Sequence, residues 1–181
     1  MPERPGSRGF TTLIGSIGLT MLAALPPATN QQPDGRQQAR ALVDLAARIL
    51  SCSGHPCLGE SEHAVRALLP DQIVTDGTFY YSDLAVAYPS FGHTLAGLVE
   101  WDFDGSLDLV SLKVTDFHVP PAAVVAAIES ALPGCVMEQD EDDEEEGTSE
   151  AWSCGADGPE GTTILIEAYF ASGIVLLEIG E

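Results

Sequence analysis

Cys135 and Cys154 bracket the stretch that most limits what this chain can fold into. Between them lies Glu138-Gln139-Asp140-Glu141-Asp142-Asp143-Glu144-Glu145-Glu146, followed by Gly147-Thr148-Ser149. Like charges at this density repel one another and stay in water. On either side the chain changes character: Cys135-Val136-Met137 and Ala151-Trp152-Ser153-Cys154 read as apolar and strand-like. The simplest arrangement is two antiparallel strands joined by an acidic loop, 138–149, with a disulfide across their bases. Closing a loop of that length stabilises a fold by on the order of 3 kcal/mol in the chain-entropy model. The bond would also confine the repulsion to the loop. Glu138, Asp140, Glu141, Asp142, Asp143, Glu144, Glu145 and Glu146 are then a candidate contact surface for a cationic partner, and the bland alternative is a solubilising insertion with no ligand. A specific calcium site needs oxygen ligands at turn-defined spacing around a glycine. This run has no glycine before Gly147 and does not match the EF-hand pattern. Calcium binding here would be weak and non-specific, and no metal or cofactor is expected.

Residues 1–28 have the layout of a secretory signal peptide. Arg4 and Arg8 give a positive end, Phe10 to Leu25 is apolar and uncharged, and Ala23, Ala24 and Ala28 supply small residues near a cleavage point. An uncleaved anchor is the rival, but the run is short against the roughly 20 apolar residues a spanning helix needs. Export implies a periplasmic or secreted protein from a bacterium-like system, with no stable membrane insertion after cleavage. Four cysteines in such a chain imply two disulfides. Three pairings are possible, and the two local ones, Cys52–Cys57 and Cys135–Cys154, are favoured.

Charge narrows the partners. The 181-residue chain has 28 Asp and Glu against 7 Lys and Arg, a net charge of −21, and Lys113 is its one lysine. Nucleic acids and anionic membrane surfaces need basic patches, so the balance argues against both. Solubility and attraction to cationic partners are favoured.

After a flexible lead-in at 29–36, a single domain is expected over 37–181. Leu42, Leu45, Ala46, Ile49 and Leu50 repeat at helical spacing, with Arg40, Asp44 and Arg48 on the other face. Cys52-Ser53-Gly54-His55-Pro56-Cys57 then turns the chain. Its spacing is too long for a C-x-x-C redox motif, and a zinc site from Cys52, His55, Cys57 and His63 competes with thiol oxidation. A second helix is expected over Glu60–Leu69, capped by Ser61, with Val65, Leu68 and Leu69 inward, forming a hairpin with the first. Strands are expected at Ile73-Val74, Phe79-Tyr81 and Leu84–Tyr88.

The clearest hairpin runs from Thr94 to about Asp116 around Asp104-Gly105. Its apolar phase shifts by one in the second arm, which predicts a bulge. Glu100, Asp102 and Asp108 fall on the outer side, either as a carboxylate cluster or as an ordinary wet strand face. A third helix spans Val119–Leu132, entered through Pro120 and Pro121. Thr162–Phe170 and Gly173–Ile179 are strands apolar on parts of both faces, which places them near the sheet centre under helices.

Gly59-Glu60-Ser61-Glu62-His63-Ala64-Val65-Arg66-Ala67-Leu68-Leu69 resembles a helix of the outer-membrane assembly lipoproteins. The order of helices and strands is similar to theirs and to that of the β-lactamase inhibitory proteins. The resemblance implies a small exported α+β module, and layout alone does not carry function. The lipid-bearing cysteine of the lipoproteins has no counterpart here, so no lipid anchor is implied.

The chain shows no nucleophile elbow, phosphate-binding loop, dinucleotide fingerprint or H-E-x-x-H. The expectation is an α+β domain: an antiparallel sheet, about three helices on one face and two disulfides. The expected function is a non-enzymatic binding protein of unknown partner. The alternatives are a hydrolase using carboxylates with His93 or His118 in a cleft, and a weak calcium-binding surface protein.

Overall fold

A computed structural model describes residues 34–69, 74–76, 79–92, 94–140, 150–157 and 162–181, all within one compact unit. The elements are helices α1 (Gly35–Leu50), α2 (Glu62–Leu68), α3 (Leu84–Ala87) and α4 (Pro121–Ala131), and strands β1 (Val74–Asp76), β2 (Phe79–Asp83), β3 (Ala96–Asp104), β4 (Ser106–Thr115), β5 (Glu138–Gln139), β6 (Glu150–Asp157), β7 (Thr163–Ala171) and β8 (Ile174–Gly180). The strands form one sheet in the order β1-β2-β3-β4-β8-β7-β6-β5, with every neighbouring pair antiparallel. This is the α+β architecture expected, with both disulfides, Cys52–Cys57 and Cys135–Cys154, formed.

α1 begins where the Asp34 carboxylate accepts the Arg36 N–H at 3.3 Å. Leu42, Leu45, Ala46 and Ile49 are buried as the periodicity required, and Ala39 and Val43 join them. The buried Gln38 side chain donates to the Asp116 carbonyl at 3.1 Å, tying α1 to the end of β4. The partner of α1 is α4, while α2 packs beside β4. The expected α1–α2 hairpin therefore does not form: the intervening clip turns the chain away, and the apolar stripe of α1 is covered by a helix far along the sequence. Within α2, Ser61 caps and Val65 is buried, but Leu68 points out and is 61 % exposed.

Leu84–Tyr88 is a correction. It was expected as strand, yet Leu84–Ala87 is one helical turn because the Asp83 carboxylate accepts the N–H groups of Ala85 at 2.7 Å and Val86 at 3.3 Å. A cap of this kind satisfies donors that a strand would need a neighbour to satisfy. Cys135-Val136-Met137 is a second correction: these residues are not strand, and β5 holds only Glu138–Gln139. The segment is instead tied to α4, whose Glu129 carboxylate accepts the Met137 N–H at 3.1 Å.

The Asp104-Gly105 hairpin forms as expected, with Gly105 at φ 81°. The register shifts between Asp102 and Phe103, so Asp108 is the extra, bulged residue that resets the phase. Opposite the other end, a Cβ on Gly97 would strike the Lys113 carbonyl oxygen, so the close approach of β3 and β4 requires glycine there.

One face of the sheet is the core. Trp101, Val99, Leu107, Val110, Leu112, Val114, Ile164, Ile166, Val175, Leu177 and Ile179 turn inward into one core cluster with the buried residues of α1 and α4. Cys135 and Cys154 lie in the same cluster. β8 and β7 are central or next to it, as expected. Among the described residues only one side of each is covered: burial along β8 strictly alternates, and on β7 Leu165 is 45 % exposed. The sheet therefore has one helix-covered face and one open face.

Candidate functional site

The open face is defined by register. Tyr81 pairs with Glu100, Glu100 with Ser111, Ser111 with Glu178, Glu178 with Glu167, Glu167 with Ser153, and Ser153 with Glu138. Directly paired residues point to the same side. A single transverse row thus carries four glutamates across seven strands. The next row holds Leu98, Lys113, Leu176, Tyr169 and Ala151. Beyond the acids on the other side come Asp102, Leu109, Gly180, Leu165 and Gly155. The acids are therefore flanked by rows with apolar members, of which Leu98 and Leu165 are 47 % and 45 % exposed.

Local contacts hold the carboxylates in place. Ser111, itself buried, donates from Oγ to Glu178 Oε1 at 3.1 Å, and Ser153 Oγ donates to Asp140 Oδ1 at 3.4 Å. Tyr169 lies two residues along β7 from Glu167, on the same side of the strand. Burial first, then the charges of Glu167, Glu178 and Asp140, push the Tyr169 hydroxyl up to about 12. Glu167 and Glu178 stand directly opposite each other, and like charges in that position destabilise a sheet. Lys113 is the one cation on the described strands, because Arg36, Arg40 and Arg48 lie on α1 and Arg66 on α2.

Glu138 and Asp140, named from the sequence, sit at the β5 edge of this face. Glu141, Asp142, Asp143, Glu144, Glu145 and Glu146 lie outside the described residues. Of the three carboxylates expected to gather, Glu100 joins the glutamate row. Asp102 takes the neighbouring row, where its carboxylate accepts the Phe103 N–H at 2.8 Å. Asp108 is absorbed by the bulge, with one carboxylate oxygen buried and unpaired among the described residues. His118 is exposed beside Gly173, at the end of β4 away from Asp102 and Asp108, so the register keeps it apart from them. His93 lies outside the described residues.

Two clefts are described: one of about 330 Å³ between α1 and α4, and one of about 260 Å³ near Phe117, Val119 and Ile174. Neither contains His118 or the row of glutamates. Among the described residues no three His, Cys, Asp or Glu side chains converge to hold a metal ion. The zinc reading of Cys52 and Cys57 ends with their disulfide.

Ser111, Glu167, Tyr169 and Glu178 were missed as site residues. Their one signal in the sequence is position: each is the outward member of an alternating strand. Which outward residues meet depends on strand order, which alternation does not contain.

Fold and site define a two-layer α+β module with one face covered by helices and the other presenting a transverse band of acid. No protein-family model, curated protein or solved structure matches the chain.

Proposed function

We propose that this chain is an exported, disulfide-stabilised binding protein that works by contact rather than catalysis. Its contact surface is the open sheet face, continuing at the β5 edge into the acidic stretch 138–149. The partner is a protein with a basic surface and apolar side chains that meet the rows around Leu98, Leu176 and Leu165. The observation that carries this reading is Glu167 set opposite Glu178 in a row of four glutamates. A pair that repels within the fold is relieved when a cation is placed between them, so the face is poised for a cationic partner. The two disulfides support an oxidising compartment. Among the described residues no helix is long and apolar enough to cross a membrane.

The test is capture from the envelope and culture medium of the source cells. The bait is the domain itself, beside a Glu100→Gln/Glu167→Gln/Glu178→Gln variant and a form lacking residues 141–149. A partner held by the wild type at low salt, released as salt rises, and retained at least tenfold less by the triple variant is the expected result. Equal recovery by wild type and triple variant removes the open face from the account. Loss only in the deletion moves the contact to the loop.

A further inference from the structure

The loop after α1 is folded back sharply on the molecule. Cys52 has φ 53° and Gly54 φ 75°, Cys52 N–H donates to the Ile49 carbonyl at 3.1 Å, and Ser53 N–H donates to the Arg48 carbonyl at 3.0 Å. Its far end is pinned to the sheet, where Gly59 N–H donates to the Leu107 carbonyl at 2.7 Å and Leu107 N–H to the Glu60 carbonyl at 2.8 Å. Between these anchors the Cys52–Cys57 bond holds His55 edge-on to the Tyr88 ring, with centroids 4.6 Å apart at 60°. Tyr88 is 2 % exposed and Trp101 beneath is fully buried. The Tyr88 hydroxyl and the Trp101 indole N–H are both buried and without a hydrogen-bond partner among the described residues.

His55 Nε2 is itself buried with no hydrogen-bond partner among the described residues. A neutral imidazole tolerates that setting, whereas an imidazolium needs an acceptor or water for each N–H. Groups from two helices bear on the ring. Arg48 comes from α1, its guanidinium 5.5 Å over the Phe91 ring, and is the charge acting on His55. Tyr88, at the end of α3, presents a neutral ring. Glu60, on the same loop, makes no hydrogen bond to it, and its own Oε2 is buried and unpaired.

We propose that the Cys52–Cys57 clip is an acid-sensitive latch: protonation of His55 loosens the clip and opens the buried Tyr88–Trp101 pair to solvent or to a ligand. Burial first, and Arg48 second, hold the imidazole below its ordinary 6.5. The closed clip therefore refuses a proton that an opened clip accepts. Closure is fully favoured above pH 6.5 and weakens as pH falls below it. The disulfide keeps the loop a short tethered ring, so opening is local and reversible.

Acrylamide quenching in a Trp152→Phe background tests this, since Trp101 is then the one tryptophan left. Quenching of Trp101 is expected to rise several-fold from about pH 7.5 to about pH 5 and to stay level in a His55→Gln variant. NMR titration of the wild type gives a second reading that needs no variant at His55. Its midpoint is expected below 6.5 and is expected to rise in Arg48→Gln. Level quenching in the wild type, an equal rise in His55→Gln, or a wild-type midpoint at or above 6.5 each overturn the latch.

Discussion

The two faces of the sheet are built from the same strands and obey opposite rules. On the covered face Trp101, Leu112, Ile166 and Leu177 share one core cluster with α1 and α4 and have no exposure at all. On the open face the neighbouring residues in those same strands are Glu100, Ser111, Glu167 and Glu178. The covered face gains stability from every side chain it holds. The open face sets two carboxylates against each other and places Tyr169 among three acids. A sheet needs only one apolar face to fold, so the other is free to be shaped by contact with something else. Substitutions on the two faces should therefore have opposite signs.

The largest effect is on the covered side. Trp101→Ala should cost about 3–5 kcal/mol in urea unfolding, because it empties the centre of a packed layer. Removing Cys135–Cys154 comes next. Alanine at both positions should cost about 3 kcal/mol, and the same change at Cys52 and Cys57, which close a much shorter ring, about 2 kcal/mol in the chain-entropy model. Both are read from denaturation midpoints, and a larger loss at the clip would contradict the ranking. On the open side the sign reverses: Glu167→Gln should raise stability by roughly 0.2–1 kcal/mol by relieving the cross-strand repulsion.

The smallest effect is spectroscopic. In Glu167→Gln the Tyr169 hydroxyl should ionise below its present value of about 12 when followed by ultraviolet absorbance. In the wild type the raised value means the folded chain holds a proton that the unfolded chain releases, so stability should fall as pH rises from 10 toward about 12.

The same division explains what the sequence made legible. Signals that act over a few residues were readable: the Asp104-Gly105 turn, the phase shift of the bulge, the Ser61 cap, the Pro120-Pro121 entry and the two local disulfides. Leu84–Tyr88 misled because its apolar residues suit a strand, while the deciding contact is the Asp83 side chain folding back on two N–H groups. The pairing of α1 with α4 was hidden by the many residues between them. β7 and β8 read as apolar on parts of both faces because Leu165, Leu176 and Tyr169 are apolar or aromatic, yet only the alternate residues of each strand are buried and Leu165 is 45 % exposed. The glutamate row was hidden for the same reason. Glu100, Glu138, Glu167 and Glu178 are distant in sequence and are aligned only by strand order and register.

The central claim is that the acids of the open face are kept for contact and not for folding. The urea midpoint of Glu100→Gln/Glu167→Gln/Glu178→Gln tests it without any partner in hand. The variant should unfold at the same urea concentration as the wild type or a higher one. A fall equivalent to more than about 1 kcal/mol, the size of a typical structural hydrogen bond, would mean that the carboxylates hold the sheet together.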